Sequence, residues 1–258
     1  MQSKANIGNN VKPPAPINTK LEIVQAGNTI DRGISFIIYA NPGVGKTTMA
    51  ATLPPDETIF INFEAGLGPL LGTNHHVFNV GGDDELSKLE EIYKFLATET
   101  HPFKYVVLDN ISEMEQWILL SLTRRRDKEF TEIKEYGDGA FKLKSYIRLF
   151  RDLVYKGITV VMNAWEFPMD IRNSDGRVLT MTFPKMAKRI APEAVGIVDV
   201  CGHLRVSDKT GKRWVKFGPD DQCVTKTQFQ GLDIDTGEVA DFPTILAKIY
   251  GHNYKKEA

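Results

Sequence analysis

The chain has 258 residues, 42% hydrophobic and 10% aromatic. That is long and apolar enough for one large or two small domains with a real core, which excludes a disordered tail or a peptide. Its 32 Lys and Arg against 33 Asp and Glu leave a formal charge of −1, so any nucleic-acid surface must be local.

Cys201 and Cys223 are too few for a disulfide-dense secreted scaffold or a four-cysteine zinc site. No run approaches the roughly 18 to 20 apolar residues of a membrane helix, and the N-terminus lacks the apolar core of a secretory signal. A soluble protein of the reducing cytoplasm, with no membrane partner, is expected.

Residues 1–20 carry three lysines, three prolines and no acids, too little apolar surface to order itself. A flexible basic arm is expected over 1–30 and a flexible tail over 251–258, leaving 31–250 as one domain. Within it, short Val-, Ile- and Phe-rich runs read as buried parallel strands: GISFIIYA, ETIFINF, KYVVLDN, GITVVMN and GIVDVCGH. Helices are expected at 47–53, 84–97, 112–123 and 139–155, the last with Phe141, Tyr146, Leu149, Leu153 and Val154 as its core stripe. Strand and helix alternate, so the fold class is α/β, a mostly parallel twisted sheet with helices on both faces. After Val200 the pattern changes to antiparallel hairpins, with turns at 208–211 and 235–237; another turn falls at 173–176.

The decisive segment is ANPGVGKT, residues 40–47, between the first strand and first helix. It fits the pattern of Gly, four residues, then Gly-Lys-Ser/Thr, with Ala40 in place of the opening glycine. Gly43 and Gly45 permit the backbone angles that turn N–H groups inward on an anion at a helix N-terminus. Asn41, Pro42, Gly43, Val44, Gly45, Lys46, Thr47 and Thr48 are therefore candidate ATP ligands, with Lys46 on the β and γ phosphates. The Thr47 hydroxyl and Asp109, which ends the strand KYVVLDN, are candidates for Mg²⁺. A plain glycine turn capped by threonine is the alternative. Glu64, in FINFEAGL, is expected at the sheet edge beside the strand that feeds the phosphate loop, as a general base for water or as a loop acid capping a turn at Gly66.

The order ANPGVGKTT, FINFEAGL, YVVLDN and VVMNAWE resembles the RecA fold, and more narrowly the small phage-encoded RecA-like ATPases that act as recombinases or single-strand annealing proteins. The resemblance spans 34–232. It implies a RecA-like P-loop NTPase that hydrolyses Mg·ATP with Glu64 as base, in the host cytoplasm. It places Asn163, or its neighbour Ala164, where a polar residue senses the γ-phosphate. It also implies nucleotide sites between subunits of a homo-oligomer, action on single-stranded DNA in recombination, repair or replication, and a single-strand-binding or other replication protein as a further partner. In related ATPases a Lys-x-Arg pair on a late strand reaches the neighbouring subunit's nucleotide. Here Lys226-Thr227-Gln228 keeps only the lysine, which implies slow or partner-dependent turnover; Lys226 is equally readable as a solvated strand-end lysine.

Two basic segments are candidates for the DNA surface. Residues 203–217 hold Arg205, Lys209, Lys212, Arg213 and Lys216 against Asp208 alone, with Trp214 among them for base stacking or inward packing. The segment after the fourth strand holds Arg172, Arg177, Lys185, Lys188 and Arg189, where RecA-like recombinases carry a mobile DNA-binding loop. Arg124, Arg125 and Arg126 form a third cluster, readable as a DNA contact, a phosphate clamp or a charged helix end. The alternatives to a DNA-dependent ATPase are a small-molecule kinase and a nucleotide-gated DNA-binding module with vestigial hydrolysis. A GTPase lacks its guanine-specificity segment here, and an AAA+ motor would need a helical lid where strands are expected. His75-His76 and the 233–237 segment lack metal-site spacing.

Overall fold

The computed structural model describes residues 32–64, 66–80, 85–125, 133–172 and 175–253. The expected N-terminal arm lies outside them, as does Arg126 of the arginine cluster; Arg124 and Arg125 are the last residues of a helix. Asn173 and Ser174 of the 173–176 turn also lie outside the described residues. The expected tail boundary shifts, because the last helix runs on to Asn253.

The phosphate loop joins strand β1 (Ser35–Tyr39) to a short helix, α1 (Lys46–Ala50). There follow β2 (Thr58–Asn62), β3 (His76–Asn79), α2 (Glu85–Thr98), β4 (Tyr105–Asp109), α3 (Ile111–Arg125), α4 (Ile133–Arg151) and β5 (Thr159–Ala164). A hairpin of β6 (Glu166–Arg172) and β7 (Val178–Pro184) leads into α5 (Ala191–Ile197) and β8 (Val200–Val206). The chain then forms β9 (Arg213–Lys216), β10 (Lys226–Thr227), β11 (Glu238–Val239) and α6 (Phe242–Asn253).

The main sheet runs in the order β11-β9-β8-β1-β5-β4-β2-β3, with β10 paired to β8. Six neighbouring strands, β8 to β3 along that order, are parallel; β9, β10 and β11 add antiparallel pairs at one side. This is the mostly parallel α/β sheet of a P-loop NTPase, with antiparallel C-terminal strands. Period-two alternation divides each buried strand between two apolar layers. Ile37, Tyr39, Val106, Leu108, Val160 and Met162 face α2 to α5, whereas Phe36, Ile38, Val107 and Val161 face α1 and α6.

Two sequence expectations are corrected. β5 and β4 both stand between β1 and β2, so Glu64 does not lie beside the strand that feeds the phosphate loop; the chain crosses over and inserts the later strands. The stripe on α4 is also rotated. Tyr146 is buried, but its companions are Leu143, Ile147 and Phe150, while Phe141 is 65% exposed and Leu149 38%. Phe141 and Leu149 are eight residues apart and share the outer face at i, i+4, i+8. Leu153 and Val154 are buried in a 3₁₀ turn beyond the helix.

A polar lock ties β1 to β8 below the site. The Asp199 carboxylate accepts hydrogen bonds from Arg32, from Ser35 N at 2.9 Å and from Ser35 Oγ at 2.8 Å. Burial opposes its charge, but these donors outweigh burial and hold the carboxyl below its ordinary range. No helix among the described residues is long and apolar enough to cross a membrane.

Candidate nucleotide site

Parallel strands put all their C-terminal ends at one sheet edge, and the candidate residues gather there. β1 feeds the phosphate loop, where Gly43 and Gly45 take φ of 81° and 109°, left-handed angles that side chains other than glycine rarely adopt. Gly45 caps α1 without a side-chain bond, which leaves N–H groups of the first turn open to a ligand. Lys46 is almost buried, folded over the loop with Nζ donating to Ala40 O at 3.1 Å and Asn41 O at 3.2 Å. Burial pushes its pKa down, against the pull of Asp109 and Glu64. An anion in the loop would supply the charge partner that these neutral carbonyls do not.

β4 brings Asp109 to the same edge. Thr47 Oγ1 donates to Asp109 Oδ2 at 2.6 Å, and Asn163 Nδ2, from the end of β5, donates to Asp109 Oδ1 at 3.1 Å. Thr47 and Asp109 thus place two hard oxygen donors together, a donor set that suits Mg²⁺, which keeps several waters and binds through few protein oxygens. Asn163 Oδ1, fully buried, has no hydrogen-bond partner among the described residues. Such an orphaned acceptor beside Asp109 fits the hydration shell of a bound cation. Asn163 therefore reaches Asp109 rather than the open cavity.

Glu64 follows β2 and lies half-buried on the far side of Asp109. Its Oε1 accepts from Asn110 Nδ2, while Asn110 Oδ1 accepts from Glu113 N at 2.9 Å and so caps α3. Burial, then the charge of Asp109, raises the Glu64 pKa, with Lys46 opposing. Lys46, Thr47, Glu64, Asp109 and Asn110, with Pro42, Thr48 and Trp165, line a cavity of about 260 Å³; Asn163 is buried behind Asp109 and does not line it. Asn110 and Trp165 were missed as site residues. Asn110 sits in the quoted strand motif, and its position before a helix is a capping signal; Trp165 carried no signal beyond following the fourth strand.

A second polar cluster adjoins the loop. Asn41 Nδ2 donates to Glu166 Oε1 at 2.5 Å, and Glu166 Oε2 accepts from His203 Nε2 at 2.6 Å. His203 Nδ1 accepts from Arg205 Nε at 3.0 Å, and Arg205 continues to Asp220 Oδ2 at 3.2 Å. The two bonds fix the neutral Nε2–H tautomer. Burial depresses the His203 pKa, in the same sense, although Glu166 pulls the other way.

The remaining sequence candidates disperse. Lys185 is exposed and lies at 4.8 Å over the ring of Trp165, which lines the cavity. Arg172, Arg177, Lys188 and Arg189 are exposed, and Arg189 donates to Gly137 O at 3.1 Å. The basic hairpin does not present one face: Arg205 is held in the cluster above, and Lys216 is buried, with Nζ on Ile234 O and Asp235 O. Arg213 reaches back to Val44 O at 2.7 Å. Lys212 is exposed, and Trp214 is half-buried against Arg205 and Gly237. Lys226 lies outside the cavity, with Nζ donating to Gly196 O and Val198 O at the end of α5.

No curated protein matches the chain. A family model described as an AAA domain matches residues 32–229, most of the chain and all of the site just described. The phosphate loop, the Thr47–Asp109 pair and the parallel sheet that assembles them accord with that match: the chain belongs to this AAA-domain family and is a nucleotide-binding ATPase of the P-loop class.

Proposed function

We propose that the protein hydrolyses Mg·ATP with Glu64 as general base and that single-stranded DNA on the β6–β7 hairpin stimulates this activity, in recombination, repair or replication. Thr47 and Asp109 would hold Mg²⁺, which supplies charge neutralisation on the phosphates. Glu64 takes the proton of the attacking water, and Asn110 holds one carboxylate oxygen so that the other is left for that proton. Lys46 releases its loop carbonyls and pairs with the phosphates. The raised pKa of Glu64 makes it a better proton acceptor than an ordinary carboxylate.

The observation that carries the DNA reading is the bond from Asn41, in the phosphate loop, to Glu166, the first residue of the hairpin. A change at the phosphates is one hydrogen bond away from the root of the segment that carries Arg172 and Arg177, with Lys185 and Lys188 just beyond it. The same reading includes a homo-oligomer, in which Lys226 could serve a neighbouring site only by leaving the α5 carbonyls, and an accessory single-strand-binding protein.

Steady-state ATPase assays on wild type and Lys46→Ala, with and without single-stranded DNA at two salt concentrations, test this. Stimulation that weakens with salt and disappears in the variant is expected. Turnover indifferent to DNA overturns the DNA part, and small phosphate acceptors then become the substrates to screen. Arg172→Ala/Arg177→Ala, on the hairpin, and Lys185→Ala/Lys188→Ala, just beyond it, should each lower the salt dependence of DNA binding; unchanged slopes in both remove the hairpin as the DNA surface.

A further inference from the structure

Arg213 is exposed on the basic hairpin, yet its side chain is engaged at the phosphate loop. It opens β9 immediately after a tight turn at Gly211, and its backbone is fixed on both sides: it pairs with Val206 of β8, and its carbonyl accepts from Ala240 N at 3.3 Å. From there the side chain crosses the sheet edge to the phosphate loop. Nε donates to Val44 O, and the guanidinium lies so close to Gly45 that a Cβ there would stand 2.4 Å from Nε. With Nε engaged, the two terminal nitrogens have no hydrogen-bond or ion-pair partner among the described residues.

Arg213 and Thr48 form the wall shared by two cavities. One is the phosphate cavity, with Thr47 and Thr48. The other, of about 540 Å³, continues beyond Thr48 between α1 and the C-terminal strands, with Met49, Thr52, Trp214 and Val239 among its walls. Sheet order separates this cation from the catalytic acids. β9 stands two strands from β1 on one side, whereas Asp109 and Glu64 come from β4 and β2 on the other. A group arriving from the β9 side, against Val44 and Gly45, meets the loop where backbone N–H groups cradle the α and β phosphates. A guanidinium with Nε tethered to a carbonyl presents its remaining donors as a fixed fork, the geometry that grips phosphate oxygens two at a time.

We propose that Arg213 is a nucleotide-binding residue, supplied by the chain's own C-terminal hairpin, which grips the α and β phosphates and closes the entrance between the phosphate cavity and the cavity beyond it. The inference rests on the nucleotide reading of the site. Because the gripped groups belong to ADP as well as ATP, it is a contribution to binding rather than to the chemical step.

The test is calorimetric titration of ADP and of a non-hydrolysable ATP analogue, both with Mg²⁺ and without DNA, into wild type, Arg213→Ala, Arg213→Lys and Lys209→Ala, with ATPase kinetics alongside. Arg213→Ala should weaken both nucleotides together by about 10- to 100-fold, the loss of one or two charge-assisted hydrogen bonds. KM should rise while kcat at saturation stays within about threefold. Arg213→Lys should recover part of the affinity, and Lys209→Ala, on the same exposed turn, none of the loss. An Arg213→Ala protein with wild-type melting behaviour and unchanged ADP affinity overturns the proposal. So does a fall in kcat with ADP affinity intact, which would make Arg213 a group acting on charge developing at the γ-phosphate. Loss of single-stranded DNA binding with ADP affinity intact overturns it in favour of a DNA contact. Wild type that binds neither nucleotide overturns the nucleotide reading and this inference with it, and is distinguishable because Arg213 then plays no part.

Discussion

Two flanks of opposite chemistry meet at the phosphate loop. On one side β4 ends in Asp109 and β2 is followed by Glu64, each held by an amide, Asn163 and Asn110. On the other, β8 and β9 carry His203, Arg205 and Arg213; Glu166 links His203 and Arg205 to the loop through Asn41, and Arg213 bonds Val44 O directly. The acidic flank follows from parallel topology, which delivers every strand end to one edge. The flank of arginines depends on the antiparallel β9, paired to β8, whose Arg213 reaches back over that edge. In the proposed reading the acids serve metal and water, whereas Arg213 serves the phosphates and His203 and Arg205 sit at the root of the β6–β7 hairpin.

The division is broken most severely at Glu64. Glu64→Gln should lower kcat by about 10²- to 10⁴-fold, the usual contribution of a general base, while nucleotide affinity measured by titration stays near wild type. The same residue sets a pH signature. Its pKa is raised, so the catalytically competent carboxylate is lost, as pH falls, at a higher pH than for an ordinary glutamate near 4.3. The acid limb of kcat should show this and vanish in the variant. For stability the sign is opposite: a raised folded-state value gives stabilisation that is complete below the unfolded value and lost as pH rises through the folded one. At neutral pH the charged Glu64 is therefore a cost, and Glu64→Gln should raise Tm slightly, an effect that fades in acid. A lower Tm at pH 7 would contradict the burial account.

Gly45→Ala probes the place where the flanks meet. It demands φ near 109° from a residue with a Cβ and drives that Cβ into Arg213, so nucleotide affinity should fall by about 1 to 3 kcal/mol. Affinity within twofold of wild type would mean that the loop relaxes freely. The smallest change is at Glu166→Gln, which keeps an acceptor for Asn41 but removes the charge facing His203. Basal turnover should stay within about threefold, and DNA stimulation should drop. Stimulation left whole would separate the hairpin from the phosphate loop and confine coupling to other contacts.

Much of the acidic flank was legible because its signals are local. Lys46, Thr47 and the two positive-φ glycines fall within eight residues, and Asp109 ends an unbroken apolar strand that could only be buried. Asn110 was not read because a capping amide and a site amide look alike in sequence. The cationic flank was legible only as charge. Five cations in fifteen residues suggested one surface, yet Lys216 turned inward to two carbonyls, Arg205 to His203, and Arg213 to Val44. Helix α4 shows the same limit. Its apolar residues occupy two faces, and only packing against α3 and the sheet decides that Leu143, Ile147 and Phe150 are core while Phe141 is not.

By itself, then, the chain determined its strand-and-helix alternation, its phosphate loop and the acids at its strand ends, since hydrophobic period and backbone chemistry act over a few residues. Which strands became neighbours, that β5 and β4 stand between β1 and β2, and that a hairpin some 170 residues downstream sets Arg213 on Val44, were decided by the tertiary structure. Those contacts exist only after long crossovers close, and their partners are chosen by sheet order and side-chain reach, neither of which leaves a periodic trace in the sequence.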